Sequence, residues 1–175
     1  FTNQNKLNRP RHILPVIVFS QFAGTSLWFA GNAIIFELQQ SWDLPMESTG
    51  YITAAVQFGF ILGTLVFAIL AIADRYSPRL VFLSCALLAS LANSMLLVSP
   101  ESLDYLLILR FITGFFLAGI YPVGMKIAAG WYQHGLGRAL GYLVGALVIG
   151  TAFPHLLRGL NIGLPWQQIL ISVSI

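Results

Sequence analysis

The sequence predicts an all-α membrane protein, and three observations lead to this fold class. Of the 175 residues, 57% are hydrophobic and only 9% are charged, whereas a soluble domain carries about 25% charged residues. Several apolar runs are long enough for a helix to cross ~30 Å of hydrocarbon. The third observation is the short charged loop at 71–80 between two such runs, which predicts two antiparallel spans.

Apolar runs separated by helix-breaking and polar residues predict five complete spans and part of a sixth. After a polar tail at 1–11, the predicted bundle occupies 12–175, with spans at about 12–38, 48–72, 80–98, 103–131, 137–160 and 165–175. The apolar part of span one exceeds the ~7–15 residues of a signal-peptide core, so we interpret it as a retained span. Because the chain has no initiating Met and stops in span six, we expect a fragment.

Basic residues collect on one side of the predicted membrane and acidic residues on the other. The tail, the loop after span two and the ends that flank the loop after span four contain Lys6, Arg9, Arg11, Arg75, Arg79, Lys126 and Arg138. The opposite loops contain Glu37, Asp43, Glu47, Glu101 and Asp104, with Arg158 nearby. The positive-inside rule therefore predicts a multi-pass protein of the cell membrane with a cytoplasmic N-terminus.

The sequence also excludes several classes of function. The net charge is +3, but the basic residues are dispersed at the ends of apolar runs, so we predict no nucleic-acid partner. The single Cys85 lies in an apolar run and is interpreted as a packing residue. No metalloprotease, hydrolase, phosphate-loop or CxxC motif is present. We therefore predict neither an enzyme nor a bound cofactor or metal.

Polar groups recur along span one at a helical spacing, at Gln21, Thr25, Trp28 and Asn32. Steps of four, three and four residues predict one face of a continuous helix. Lipid cannot satisfy such groups, so this face must meet protein or water. We interpret it as the wall of a solute path, with bonding to neighbouring helices as the alternative. Gln57 joins this predicted substrate-binding set because it follows Thr53 by four residues on span two.

Arg110 lies within the apolar run of span four. A guanidinium at the bilayer centre costs about 2.5–3.5 kcal/mol, so we expect it to face the bundle interior or a water-filled cavity. Since it keeps its proton, its partner is an anion, a carboxylate or backbone carbonyls. No complete span carries a carboxylate at that depth. We predict that Arg110 binds the substrate; the alternative is that it snorkels outward and braces the fold.

Two spans place glycines on one helix face. Gly59 and Gly63 lie on span two, and Gly141 and Gly145 continue a spacing of four on span five. Such spacing allows two helix backbones to approach closely. If spans one to three and four to six are inverted repeats, the two sets are equivalent. We predict tight helix packing at both, with packing that slides during a conformational cycle as the alternative.

The charged loop resembles a signature of the major facilitator superfamily. Residues 73–79, ADRYSPR, are similar to the family's cytoplasmic pattern G-x-x-x-D-R-x-G-R/P-R. Asp74, Arg75 and Arg79 match it, while Leu70 and Ser77 stand where the family has glycine.

Two further segments strengthen this resemblance. Arg110 and Gly114 resemble a second signature, R-x-x-x-G, with Thr113 where Gln often stands. Arg138 and Gly141 are similar to the R-x-x-G of the linkage between spans four and five. The Gly-Pro pair typical of drug antiporters in span five is absent, since Ala146 follows Gly145. The chain is thus identified as resembling the N-terminal six-helix half of such a transporter, truncated in the sixth span, with the C-terminal half missing.

The resemblance implies a mechanism. Two six-helix halves would rock about a central site, with spans one and four lining the cavity, two and five contacting the other half, and three and six facing lipid. Asp74, Arg75 and Arg79 would form a cytoplasmic gate, and Gly114 would be a packing residue.

The predicted function is secondary active transport of a small, anionic organic solute by alternating access, with a possible proton or ion as the coupling partner in symport. Two alternatives stay open. One is an efflux transporter for neutral or cationic compounds, which Trp28 and the many Phe residues permit. The other is a non-transporting sensor or scaffold of the same fold.

Overall fold

The structure, a computed structural model, describes residues 12–98, 101–132, 134–160 and 165–174. Within these ranges the regular secondary structure is helical. The α-helices are α1 (Ile13–Ser26), α2 (Ala30–Ala33), α3 (Ile35–Ser41), α4 (Ser48–Ile69), α5 (Ile72–Arg75), α6 (Pro78–Ser94), α7 (Leu103–Leu117), α8 (Tyr121–Trp131), α9 (Leu136–Leu160) and α10 (Trp166–Ser174). A 3-10 turn at Met95–Val98 follows α6. Helices therefore occupy all six ranges expected for spans.

Four helical segments in the described ranges are long and apolar enough to cross a membrane, judged by length and composition. They are Ser48–Ile69, Pro78–Val98, Leu103–Trp131 and Leu136–Leu160. The apolar helix Ile13–Ser26 is shorter, because the segment expected as span one is interrupted.

Span one differs from the continuous helix that the sequence predicts. Helix α1 ends at Ser26, and the four-residue α2 starts only at Ala30. Two hydroxyls bond backwards at this point: Thr25 Oγ1 donates to the carbonyl of Gln21 at 2.7 Å, and Ser26 Oγ donates to that of Ala23 at 2.6 Å. Such bonds compete with the helical ladder and bend helices. Span one is therefore not one continuous α-helix but is interrupted at 27–29.

Span four is also divided, into α7 and α8, with Ala118–Ile120 between them. Gly119 N–H donates to the carbonyl of Phe116 and Ile120 N–H to that of Leu117, which is a tighter 3-10 pattern. Pro122 lies in the first turn of α8 and has no N–H to continue the ladder from α7. The sequence analysis treated 103–131 as one span and missed this change.

Helices α4 and α7 pack with their backbones in close approach. A Cβ placed at Gly59 or Gly63 of α4 would collide with the carbonyls of Phe111 and Phe115, and a Cβ at Gly114 of α7 would collide with that of Val56. Helix α1 meets α9 in the same way, because a Cβ at Gly150 would reach Thr25 and Phe22. Glycine is thus required at these contacts.

Gly141 and Gly145 are in a different environment from Gly59 and Gly63. A Cβ added at either one meets no heavy atom within 4 Å in the part of the chain that the structure describes. The expected close packing on span five is therefore formed by Gly150 within this bundle, and not by these two residues.

The face of α6 that points away from the bundle is rich in leucine. Its exposed large side chains are Leu80, Leu83, Leu87, Leu88 and Leu91. The opposite face, with Val81, Cys85 and Ala89, is buried in the core. This distribution is typical of a helix with one lipid-facing side.

We expect Gly114→Ala to destabilise the bundle by about 1–3 kcal/mol, because the added methyl overpacks the contact with Val56. The midpoint of thermal unfolding in detergent measures this effect. Gly137→Ala is the matched control, since a Cβ there meets nothing within 4 Å. Equal destabilisation by the two variants would contradict the assignment of Gly114 to a close helix contact.

Candidate functional site

Gln21 and Thr25 are fully buried on α1. The side chain of Gln21 lies against Gly124 of α8, and Thr25 lies against Gly150 of α9. Neither polar atom of the Gln21 amide has a hydrogen-bond partner among the described residues. These two side chains therefore face the α8 and α9 side of the bundle.

Trp28 and Asn32, which follow the interruption, contact α4 instead. The ring of Trp28 packs on Phe60 with 4.6 Å between centroids, and Asn32 Nδ2 donates to Thr53 Oγ1 at 2.6 Å. Gln57 is exposed on the same helix, between Thr53 and Phe60 in sequence. The four polar residues of span one thus contact different helices, α8 and α9 before the interruption and α4 after it. The interruption divides them into two pairs.

Arg110 of α7 is fully buried in the bundle and bonds to the interruption of span one. Its Nη2 donates to the carbonyl of Leu27 at 3.0 Å and to that of Trp28 at 2.5 Å. Gly31 makes this contact possible, because a Cβ there would lie 3.0 Å from Nε. The carbonyls at the interruption have lost their helical donors, so the guanidinium replaces those donors.

Asn93 of α6 is a further partner of Arg110. Its Oδ1 accepts from Nη1 at 2.9 Å, and its Nδ2 donates to Ser174 Oγ of α10 at 2.9 Å. Asn93 is fully buried. The resulting network joins spans one, three, four and six. Sequence analysis did not select Asn93, although an amide in an otherwise uncharged apolar span was the signal that marked it.

The guanidinium of Arg110 has only neutral partners among the described residues. The ion pairs within those ranges join Lys126 to Asp74 and Arg158 to Glu37. Arg110 Nε, Trp28 Nε1 and Asn32 Oδ1 are buried without a described partner. One positive charge near the interruption therefore has no described anionic partner. Two hydrogen-bond donors and one acceptor there also have no described partner.

At the charged loop, the predicted gate residues have separate partners. Asp74 pairs with Lys126 of α8, whose Nζ also donates to the carbonyl of Ala73 at 2.7 Å. Arg79 lies over the ring of Trp131, 5.6 Å from its centroid, and Arg75 is exposed. Helix α5 shapes the loop, and Ala71 before it adopts a left-handed conformation with φ of 49°. Lys126, interpreted from sequence as a topology residue, is thus the partner of Asp74.

At the other end of span one, Arg158 of α9 pairs with Glu37 of α3 and also donates to the carbonyl of Ala33 at 2.6 Å. Each side chain is about one third exposed. This contact ties spans one and five together. It also pairs Glu37, one of the acidic residues of the loops opposite the basic side, with Arg158.

The described residues contain no group of three or more His, Cys, Asp or Glu side chains that could hold a metal ion. The fold and this site define a multi-pass helical membrane protein whose bundle contains a buried cation at an interrupted span. Such discontinuous helices recur at the binding sites of secondary transporters.

Comparison with known proteins identifies the family. The family model described as the Major Facilitator Superfamily matches residues 16–175. The chain belongs to this family of membrane transporters, and the resemblance noted in its signatures is confirmed. No curated protein matches the chain.

Replacing Arg110 with Gln is expected to destabilise the protein by about 3 kcal/mol or more, because two carbonyls and the Asn93 oxygen lose a buried donor. Thermal unfolding in detergent and protease resistance check this result. The control is Arg138→Gln, because the guanidinium of Arg138 is exposed and contacts the side chain of Tyr142. A stable Arg110→Gln variant would show that the guanidinium does not hold the interruption.

Proposed function

We propose that the chain is the N-terminal half of a secondary active transporter that moves a small organic anion by alternating access, coupled to a proton or another ion. A second six-helix half, outside this chain, would complete the solute path. The N-terminus would lie in the cytoplasm and the protein in the cell membrane.

The positive charge of the buried Arg110, whose described partners are neutral, supports an anionic solute. Arg110 keeps its proton, is fully buried and, among the residues that the structure describes, bonds only to carbonyls and an amide. Burying an uncompensated charge is unfavourable, whereas a solute carboxylate nearby would repay part of that cost. A cationic solute would meet repulsion instead.

The proposed contact surface for the solute lies beside the interruption, on the side that faces α4. Trp28 and Asn32 have buried, unpaired polar atoms there, and Gln57 is exposed on α4, between their contact partners Phe60 and Thr53 in sequence. Arg110 donates to the carbonyls of Leu27 and Trp28 behind this surface and supplies its positive charge. Gln21 and Thr25 belong to the same proposed path but on the α8 and α9 side, where the amide of Gln21 is still unpaired.

The proposed gate also differs in detail from the family pattern. Asp74 and Lys126 would hold the cytoplasmic ends of spans two and four together, while Arg75 is free to meet the other half. Gly141 and Gly145, which have open space beside them, would pack against that half.

Uptake into liposomes by the full-length protein tests the anionic solute. We use carboxylate and amide pairs, such as benzoate with benzamide and lactate with lactamide, and expect uptake of at least one carboxylate that exceeds that of its amide by tenfold or more. Gln57→Ala should raise the KM for that carboxylate several-fold while stability is unchanged, because Gln57 is exposed. Gln40→Ala, an exposed glutamine at the end of span one, is the matched control.

Three results would contradict the proposal. Preference for amides or amines would favour the alternative of neutral or cationic efflux. No uptake of any compound, with retained binding of a protein partner, would favour a sensor or scaffold. Arg110→Lys keeps the positive charge, so a complete loss of carboxylate preference in a folded Arg110→Lys variant would argue against charge as the basis of recognition.

We expect Gly145→Leu to slow transport by tenfold or more without lowering the stability of this bundle, because the added side chain enters space that the other half would occupy. Uptake rate and thermal unfolding are measured together. Val148→Leu is the control for added bulk on α9, because Val148 is also exposed on this helix. Unchanged uptake by Gly145→Leu would remove this glycine from the proposed contact.

A further inference from the structure

The partner that Arg110 has on α6 is an amide and not a carboxylate. Asn93 Oδ1 lies 2.9 Å from Arg110 Nη1, and both side chains are fully buried. Asn and Asp have nearly the same shape, so an Asp at this position would fill the same space. It would add a negative charge within hydrogen-bond distance of the guanidinium, whereas Asn accepts the bond and leaves the charge uncompensated.

Asn93 is held in this orientation from its other side. Its Nδ2 donates to Ser174 Oγ at 2.9 Å, and Ser90, one turn earlier on α6, donates to the carbonyl of Ser174. A guanidinium can only donate, so Oδ1 is the atom that Asn93 presents to Arg110. Nδ2 is then left to donate to Ser174 Oγ.

We infer that Asn93 is a specificity-determining residue that sets the charge of the transported solute. Its neutral amide positions Arg110 at the interruption of span one without cancelling the positive charge, so that the charge acts on a solute carboxylate. This inference rests on the proposed function and names the residue that controls its charge preference. Asn93 acts through Arg110 and is a positioning residue, without contact to the solute.

A purely structural role for Asn93 predicts a different outcome of the same substitution. If Asn93 only ties α6 to α7 and α10, then Asn93→Asp keeps or strengthens the tie and leaves solute preference unchanged. If Asn93 sets the charge, the same variant stays folded and loses its preference for anions. Stability and charge preference therefore separate the two roles.

The test is uptake by the full-length protein of benzoate against benzamide and lactate against lactamide, with Asn93→Asp compared with the wild type. We expect the carboxylate-to-amide ratio of kcat/KM to fall about tenfold or more, since a new charge several ångströms from the solute acts in a medium of low effective dielectric constant. Gln40→Glu makes the same amide-to-carboxylate change at an exposed position and should leave the ratio unchanged.

Two further variants test the inference if Asn93→Asp does not fold. One keeps residue 93 neutral, and the other places the negative charge at residue 174. Asn93→Thr retains a neutral acceptor and should keep the carboxylate preference. Ser174→Asp places the new charge one side chain further from Arg110, so a smaller fall in the same direction is expected.

An unchanged ratio in folded Asn93→Asp, or in folded Ser174→Asp, would overturn the inference and leave the proposed function intact. A lost ratio in folded Asn93→Thr would overturn it as well. A wild-type protein without any preference for carboxylates would overturn the proposed function and this inference together.

Discussion

The arrangement of this bundle depends on one buried cation that replaces missing backbone donors. Where span one stops being helical, the carbonyls of Leu27 and Trp28 lose the N–H groups of a continuous helix, and Arg110 donates to both. Neither partner is tolerable alone in an apolar interior: the carbonyls need donors, and the guanidinium needs acceptors. Together they allow a span to be interrupted inside the bundle.

Small residues make this interaction possible and also set the spacing of the helices around it. Gly31 lets the guanidinium lie directly on the span-one backbone, and Gly114, one turn beyond Arg110 on α7, lets α4 approach closely. The same α4 carries Thr53 and Phe60, the partners of Asn32 and Trp28. The position of the polar side chains in span one therefore depends on close contacts made by glycines of span one itself and of α7.

Much of the fold could be predicted from the sequence, and less of the site. Long apolar runs and a charged loop indicated the spans, and the paired signatures indicated the family, because both depend on local composition and spacing. The direction in which Gln21, Thr25, Trp28 and Asn32 point could not be derived, because helical spacing assumes an unbroken helix. Two bonds from hydroxyls, those of Thr25 and Ser26, invalidate that assumption. The partner of Arg110 on α6 could not be derived either, since it depends on how two distant spans pack.

The distribution of charge in the described residues bears on how such a bundle recognises a solute. Both ion pairs lie towards the ends of spans, where Asp74 meets Lys126 and Glu37 meets Arg158, and both are partly exposed. Such pairs contribute little stability and are screened by salt. The interior cation has only neutral hydrogen-bond partners in the part of the chain that the structure describes, so no described carboxylate offsets its charge. Because Glu37 and Asp74 are already paired with Arg158 and Lys126, neither offsets the charge of Arg110, which lies buried at the interruption of span one.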